Sequence, residues 1–186
     1  PVYILCGRLM YSFFSSATNG AMKAIRTNAG MIKKVYVPKY IYPVTKVLSA
    51  SINMVLSMVP LLLVTIFYGL FNGLYIRWSI LLLITAFGVG MILSTMAVFF
   101  RDLEYLWSVG LMIIMYASAI FYKPEKLLKS GFGWILKCNP LYLLIHNFRQ
   151  AVFGMPMNMK FLAASIVFAI VSVIVGLIFF YKKQDE

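Results

Sequence analysis

Long uncharged stretches alternate with short charged clusters along this chain. Residues 47–76 are free of charge between Lys46 and Arg77, 78–100 between Arg77 and Arg101, 105–122 between Glu104 and Lys123, and 161–181 between Lys160 and Lys182. At 1.5 Å rise per residue each is long enough, as a helix, to cross about 30 Å of hydrocarbon. Residues 1–22 carry only Arg8 and read as a fifth span. A segment crossing lipid must satisfy its own backbone, as a helix or in a closed barrel. Barrel strands alternate apolar and polar residues, and Ile80-Leu81-Leu82-Leu83-Ile84 does not, so the spans are predicted to be helices. They are placed at about 1–22, 43–68, 79–99, 105–122 and 161–181, all within one domain.

The connections differ in kind. Residues 69–77, with Gly69, Asn72 and Gly73, form a short link, and 101–104 (Arg-Asp-Leu-Glu) a shorter one. Residues 23–46 hold six basic residues and no acid, and 123–160 hold six basic residues and one acid, Glu125. In the latter, Leu141, Leu144, Ile145, Phe148, Ala151 and Val152 recur at helical spacing. This predicts an amphipathic helix over 140–153, started by Asn139-Pro140 and ended near Gly154, with His146, Asn147, Arg149 and Gln150 away from the apolar stripe. With a second apolar piece around 131–136, two arrangements fit: a re-entrant pair dipping into the membrane, or a pair of helices lying flat on it.

Composition agrees with a membrane chain. Of 186 residues, 62% are hydrophobic and 12% charged, and mean hydropathy is +0.90. That excess is too large for a small soluble domain to bury, which excludes a soluble enzyme, a disordered tail and a collagen-like fibre. The net charge of +12 would suggest nucleic acid in a soluble protein. In a membrane protein it marks loops facing anionic lipid, so membrane lipids are expected partners and nucleic acid is not. Placing 23–46 in the cytoplasm puts nine basic residues inside and eight outside. Discounting the long 123–160 segment leans the balance toward 23–46 inside.

Little chemistry is visible. Asp102 and Glu104 diverge on a helix, so a catalytic pair is not expected, and the bland reading is a solvated turn. His146 has no Cys, Asp or Glu near it in sequence, so no metal site is expected. There is no Walker-type loop and no nucleophile elbow, which predicts a chain without catalytic residues. Cys6 and Cys138 read as lone thiols. Arg8 lies within a span and either faces a pathway or snorkels to the nearer interface. Tyr11, Phe13, Phe14, Tyr116, Phe121 and Tyr122 could line a corridor for sugar rings or form interfacial belts. Residues 28–38 (Asn-Ala-Gly-Met-Ile-Lys-Lys-Val-Tyr-Val-Pro) mix an apolar ridge with two lysines. They fit a helix docking in a partner's groove, or a basic loop held to lipid.

Five segments, in order, resemble a known family. They are Gly7-Arg8-Leu9-Met10-Tyr11-Ser12-Phe13-Phe14, residues 28–38, Phe100-Arg101-Asp102-Leu103-Glu104, Asn139-Pro140-Leu141 through Phe148-Arg149 to Phe153-Gly154, and Phe180-Tyr181-Lys182-Lys183-Gln184-Asp185. Together they resemble the permease subunit of ABC-2 type exporters, most closely the branch exporting O-antigen, capsule and teichoic acid. The resemblance implies an all-α integral membrane bundle of six helices, of which this chain holds five, with a missing segment before Pro1 and a second truncation possible after Glu186. It implies a homodimer of permeases in the bacterial cytoplasmic membrane, two ABC ATPase subunits that use ATP and Mg, no cofactor bound by this chain, and a lipid-linked glycan as substrate. Asn28, Met31, Ile32, Lys33, Lys34, Tyr36 and Pro38 would then couple to the ATPase. Asn139, Pro140, His146 and Arg149 would belong to an extracytoplasmic re-entrant segment over 123–160 that guards the exit; Arg8, Tyr11, Phe14, Tyr116 and Tyr122 are pathway candidates by residue type, and the resemblance assigns no role to Arg8. The 23–42 loop would be cytoplasmic. An exporter of drugs or simple lipids shares this fold. A membrane glycan-lipid transferase and a channel or scaffold without an ATPase are the rivals from other classes.

Overall fold

The computed structural model describes residues 2–67, 75–156 and 158–183. Among them every regular element is a helix: α1 (Val2–Thr27), α2 (Ala29–Ile32), α3 (Ile41–Phe67), α4 (Tyr75–Phe99), α5 (Leu103–Ala117), α6 (Glu125–Lys129), α7 (Gly133–Cys138), α8 (Pro140–Phe153) and α9 (Met159–Lys183). The chain is an all-α membrane bundle. Most of the link expected over 69–77 lies outside the described residues.

Among the described residues three helices are long and apolar enough to cross a membrane: α3, residues Ile80–Phe99 of α4, and α9. The other two expected spans differ from the sequence reading. Helix α1 has 26 residues and runs about 39 Å, five residues past the expected end at Met22, because Lys23 to Thr27 contain no helix breaker. It carries polar residues along one side. The expected span 105–122 instead stops at Ala117. With 15 residues, α5 measures about 22 Å, short of the hydrocarbon thickness.

A layer of four helices forms the body, in the spatial order α3, α1, α4, α9, with α5 alongside α1 and α4. Helix α1 buries Cys6, Met10, Phe13, Ala17 and Ala21 at helical spacing, against Val47, Met54 and Leu61 of α3 and Leu82 and Ala86 of α4. In lipid the apolar effect does little to bring helices together, and small residues that permit close approach do more. Gly88 and Gly90 of α4 divide that task. A Cβ on Gly88 would stand 2.5 Å from the backbone of Ser172 and Val173 in α9, and a Cβ on Gly90 2.9 Å from Ala21 of α1. Two residues on a helix point nearly opposite ways, so the Gly-Val-Gly triplet lets α4 approach a neighbour on each side. From α9, Gly176 meets the Gly88 carbonyl just as closely.

Helix α8 forms where the spacing predicts it. Asn139 accepts from the Leu141 amide (3.0 Å), Pro140 occupies the first turn, and Gly154 ends the helix at φ 65°. It packs against α1, α4 and α9 at one end of the layer. The polar-face expectation for this helix is corrected. Asn147 and Arg149 are buried, because neighbours cover α8 on more than its apolar stripe.

Candidate functional site

The outer surface of the layer has two chemistries. On α9 the exposed side is aliphatic: Val167, Ile170, Val171, Ile174 and Ile178. On α1 the exposed positions Arg8, Ser12 and Ser16 recur every four residues and make a polar ridge. A cavity of about 330 Å³ lies between this ridge and α3, where Asn53 and Ser57 face it across a floor including Phe13 and Met54. On the other side of the ridge a cavity of about 350 Å³ is lined by Tyr11, Ser15, Met115 and Phe121. A charged and hydroxyl-rich ridge is costly against lipid tails. It belongs against water, polar substrate or another protein surface.

Of the five pathway candidates, the structure brings Arg8 and Tyr11 to this ridge. Tyr11 also donates to the Leu111 carbonyl (3.1 Å), tying α1 to α5. Phe14 is buried with its ring 6.5 Å from that of Trp107, and Trp107 Nε1 donates to Thr18 Oγ1 (3.2 Å). Tyr122 donates to the Tyr116 carbonyl (2.9 Å), and both rings stand on the exposed side near the end of α5. Sequence reading had omitted Ser12, Ser16, Asn53 and Ser57. The four-residue repeat from Arg8 was the available signal for the first two.

At the opposite end from α8, Lys23 and Arg26 of α1 reach Glu104 of α5 at 3.7 and 3.9 Å. Glu104 is thus a strap between helices as well as a turn residue. Exposed pairs of this kind contribute little individually. Beyond Arg26 the chain makes α2, a single turn, then runs irregularly to Ile41. The side chain of Asn28 donates to the Ala24 carbonyl (2.8 Å), which closes α1 before α2 begins. Met31, Val35 and Tyr36 are exposed, Tyr36 completely, with Lys33 and Lys34 beside them. Ile32 is half-buried and turns back toward Ile25 and Phe180, so the outward ridge is Met31, Val35 and Tyr36. Apolar side chains exposed in a basic segment beyond the spans mark an interaction surface.

The four exit candidates are close in structure, and two of them clasp one turn. Asn139 Nδ2 donates to Ser118 Oγ (3.0 Å). Arg149 Nη1 donates to the Ala119 carbonyl (3.0 Å), Nη2 to the Ile120 carbonyl (3.3 Å) and Nε to the Tyr3 carbonyl (3.1 Å). Its guanidinium also lies 3.6 Å from the centroid of the Tyr3 ring. Ala119 has φ 50°, a left-handed value uncommon for a residue with a Cβ. Arg149 thus holds the turn that follows α5, while the Ile114 and Tyr116 carbonyls in the last turn of α5 accept from the Ser118 and Tyr122 hydroxyls. Gly7 makes room for that arginine, since a Cβ there would collide with Nη2 of Arg149. His146 stacks on Tyr142 (5.7 Å) and meets Phe161 edge-on (5.2 Å). Burial, and after it the charge of Arg149, pushes the His146 pKa down, so the ring is neutral and packs as an aromatic.

Residues 2–153 match the ABC-2 type transporter family. The chain belongs to that family. The match ends on the last residue of α8 and so takes in the ridge, the 28–38 segment and the clasp. This ABC-2 chain is also 30% identical over 189 residues to an O-antigen export system permease protein RfbA of Klebsiella pneumoniae, covering 98% of this chain and 72% of that protein. A protein of the same description in Myxococcus xanthus is 28% identical over 82% of this chain and 60% of its own length. The polysialic acid transport protein KpsM of Escherichia coli is 24% identical over 100% of this chain and 74% of its own. Membership of the ABC-2 family implies an ABC ATPase subunit as partner.

Proposed function

We propose that this chain is the membrane subunit through which an ATP-driven exporter moves a lipid-linked polysaccharide across the bacterial plasma membrane. Two copies pair with their α1 ridges facing one another, and an ATPase subunit docks on residues 28–38 of each. The observation that carries this reading is the Arg8-Ser12-Ser16 ridge on the outside of a helical layer whose other exposed faces suit lipid. The printed names of the relatives, O-antigen export and polysialic acid transport, supply the substrate class.

In this reading the hydroxyls of Ser12, Ser16 and Ser57 and the amide of Asn53 replace water around sugar hydroxyls. Arg8 offers a charge-assisted donor to an anionic group. The floor of Phe13 and Met54 presents apolar surface to sugar faces. The chain's task is to hold this corridor, and to change its width when the ATPase moves the 28–38 segment.

Disulfide trapping tests the pairing. In a Cys138→Ser background, Ser12→Cys or Ser16→Cys is expected to give a covalent dimer on oxidation in membranes, and Ile170→Cys on α9 is not. Dimer from Ile170→Cys alone would reject the ridge as the facing surface. Loss of surface glycan in Arg8→Glu, with subunit assembly intact, is the matching functional result. For the ATPase contact, Met31→Asp with Tyr36→Asp is expected to abolish co-purification. One exposed aromatic anchor accounts for about 2 kcal/mol or more, roughly thirtyfold in affinity. ATPase retained at wild-type level by that double variant would place the contact elsewhere.

A further inference from the structure

Arg8, Ser12 and Ser16 line both cavities that flank the ridge, but the two cavities differ in chemistry. The one against α3 adds the amide of Asn53, which carries an acceptor as well as donors, to a largely apolar wall. The one against α5 adds only hydroxyls as polar groups, those of Tyr11 and Ser15, and closes on Met115, Ile120 and Phe121. Among the described residues no carboxylate lines either cavity. Residues 1–100 contain no Asp or Glu, and Glu104 is engaged by Lys23 and Arg26, far along α1 from Arg8.

The polar groups of the α5-side cavity are not equally free. The Tyr11 hydroxyl is committed to the Leu111 carbonyl, and Ser15 Oγ accepts from Asn19 Nδ2 (3.4 Å). Elsewhere in the bundle hydroxyls turn back onto carbonyls of their own helix, as those of Thr18, Ser94, Thr95 and Ser172 do. Arg8, Ser12 and Ser16 make no hydrogen bond or ion pair with the described residues. An unpaired guanidinium on a span calls for an anion. Arg8 and Ser12 are one turn apart on the same face, so both reach one compact group, and the planar guanidinium fork matches the oxygens of a phosphate. The wall of Met115, Ile120 and Phe121 offers hydrocarbon surface beside that group.

We propose that the cavity between α1 and α5 binds the phosphate of a lipid-borne phosphoester. Arg8 and Ser12 hold the oxyanion, and the hydrocarbon leaves along Met115 and Phe121. The assignment to the exported substrate rests on the reading of the ridge as the pathway surface. It divides that surface in two: sugar rings meet Asn53, Ser57 and Phe13 on the α3 side, and the phosphate that bears the lipid lies on the α5 side. The site stands at the clasp end of α1, since Ile120, whose carbonyl Arg149 holds, forms part of its wall. Arg8 is thereby a specificity-determining residue, favouring a glycan with an anionic lipid end over a neutral glycolipid.

The test is titration of detergent-purified full-length protein with dodecyl phosphate, read by native mass spectrometry. Dodecyl maltoside, a neutral sugar on the same chain, is the comparison. Wild type is expected to prefer the phosphate. A hydrogen bond to a charged group is worth about tenfold or more in binding, so Arg8→Gln is expected to weaken dodecyl phosphate by at least that factor. Ser12→Ala keeps every charge and is expected to weaken it about fivefold. Met115→Trp fills the cavity with Arg8 in place and is expected to weaken it strongly. Lys160→Gln removes an exposed cation at the start of α9 and is expected to leave binding unchanged. Equal losses in Lys160→Gln and Arg8→Gln, or wild-type binding by both Ser12→Ala and Met115→Trp, would show attraction by surface charge alone and overturn the site. Displacement by inorganic phosphate at comparable concentration would overturn the lipid-borne source and assign the site to a free anion. Loss of phosphate preference while Ser16→Cys still gives a covalent dimer would remove the site and leave the facing ridges. Preference kept while Ser16→Cys gives no dimer would keep the site and overturn the pairing.

Discussion

Replacing Arg149 with alanine is expected to destabilise the protein more than any other single truncation at the clasp. The guanidinium donates to three backbone carbonyls from two elements and covers the face of Tyr3. Its removal leaves the Ala119 and Ile120 carbonyls without the donor they turn toward, in a place where both residues are buried. A buried acceptor left unpaired costs about 1–3 kcal/mol. Losing the arginine also ends the desolvation of a charge, so the expected net loss is about 3 kcal/mol rather than the sum over three acceptors. Arg149→Lys is expected to recover only part of it, because one ammonium cannot reach three divergent carbonyls and stack at the same time. Thermal unfolding in detergent, followed by monodispersity, reads the effect. Gly7→Ala presses on the same guanidinium, so Gly7→Ala and Arg149→Ala are expected to be strongly non-additive in a double-mutant cycle. A wild-type unfolding midpoint for Arg149→Ala would show that the clasp contributes no stability.

Gly88→Ala is expected to be nearly as harmful, by a different route. A single methyl group at this position meets α9 backbone atoms at 2.5 Å, and backbone cannot rotate away as a side chain can. The whole of α9 must shift outward by about an ångström, which opens the contact along its length. Overpacking costs typically about 1–3 kcal/mol, and the backbone contact places Gly88→Ala at the upper end of that range. Gly88→Leu is expected to prevent accumulation of folded protein. Gly90→Ala, which meets only the Ala21 methyl at 2.9 Å, is expected to be milder. Gly110→Ala, whose nearest neighbour is the Trp107 ring at 3.9 Å, is expected to be silent. Yields should rise in the order Gly88→Leu, Gly88→Ala, Gly90→Ala, Gly110→Ala, and the unfolding midpoints of the three alanine variants in the same order. A silent Gly88→Ala would mean that α4 and α9 do not depend on close approach.

These two positions also mark the boundary of what the sequence displays. Helix α8 was legible to its ends because its start and stop are local: Asn139 and Pro140 at one end, Gly154 at the other. The end of α5 was not. The turn that follows it is held by Arg149, thirty residues beyond Ala119, and nothing within 105–122 announces that contact. The burial of Arg149 was hidden for a related reason. Periodicity locates one apolar stripe, whereas a helix packed against α1, α4 and α9 is covered on several sides. Residues 28–38 stood out as an apolar and basic segment, but which apolar members face outward depends on α4 and α9, against which Ile32 turns. The ridge lay between these cases. Its repeat at Arg8, Ser12 and Ser16 is present in the sequence, while its partners Asn53 and Ser57 come from a helix whose register only packing sets.

The continuity of α1 has a mechanical consequence. Its 26 residues contain no proline, and it is held at both ends: by Arg149 through the Tyr3 carbonyl, and by Glu104 through Lys23 and Arg26. A push on the 28–38 segment therefore reaches the far end as rotation of a stiff lever about 39 Å long, with little lost to bending. A tilt of about 10° sweeps its end through roughly 7 Å, more than one helical pitch. The polar ridge rides on that same lever, so in the proposed assembly a stroke at the 28–38 segment also sets the width of the gap that the ridge faces.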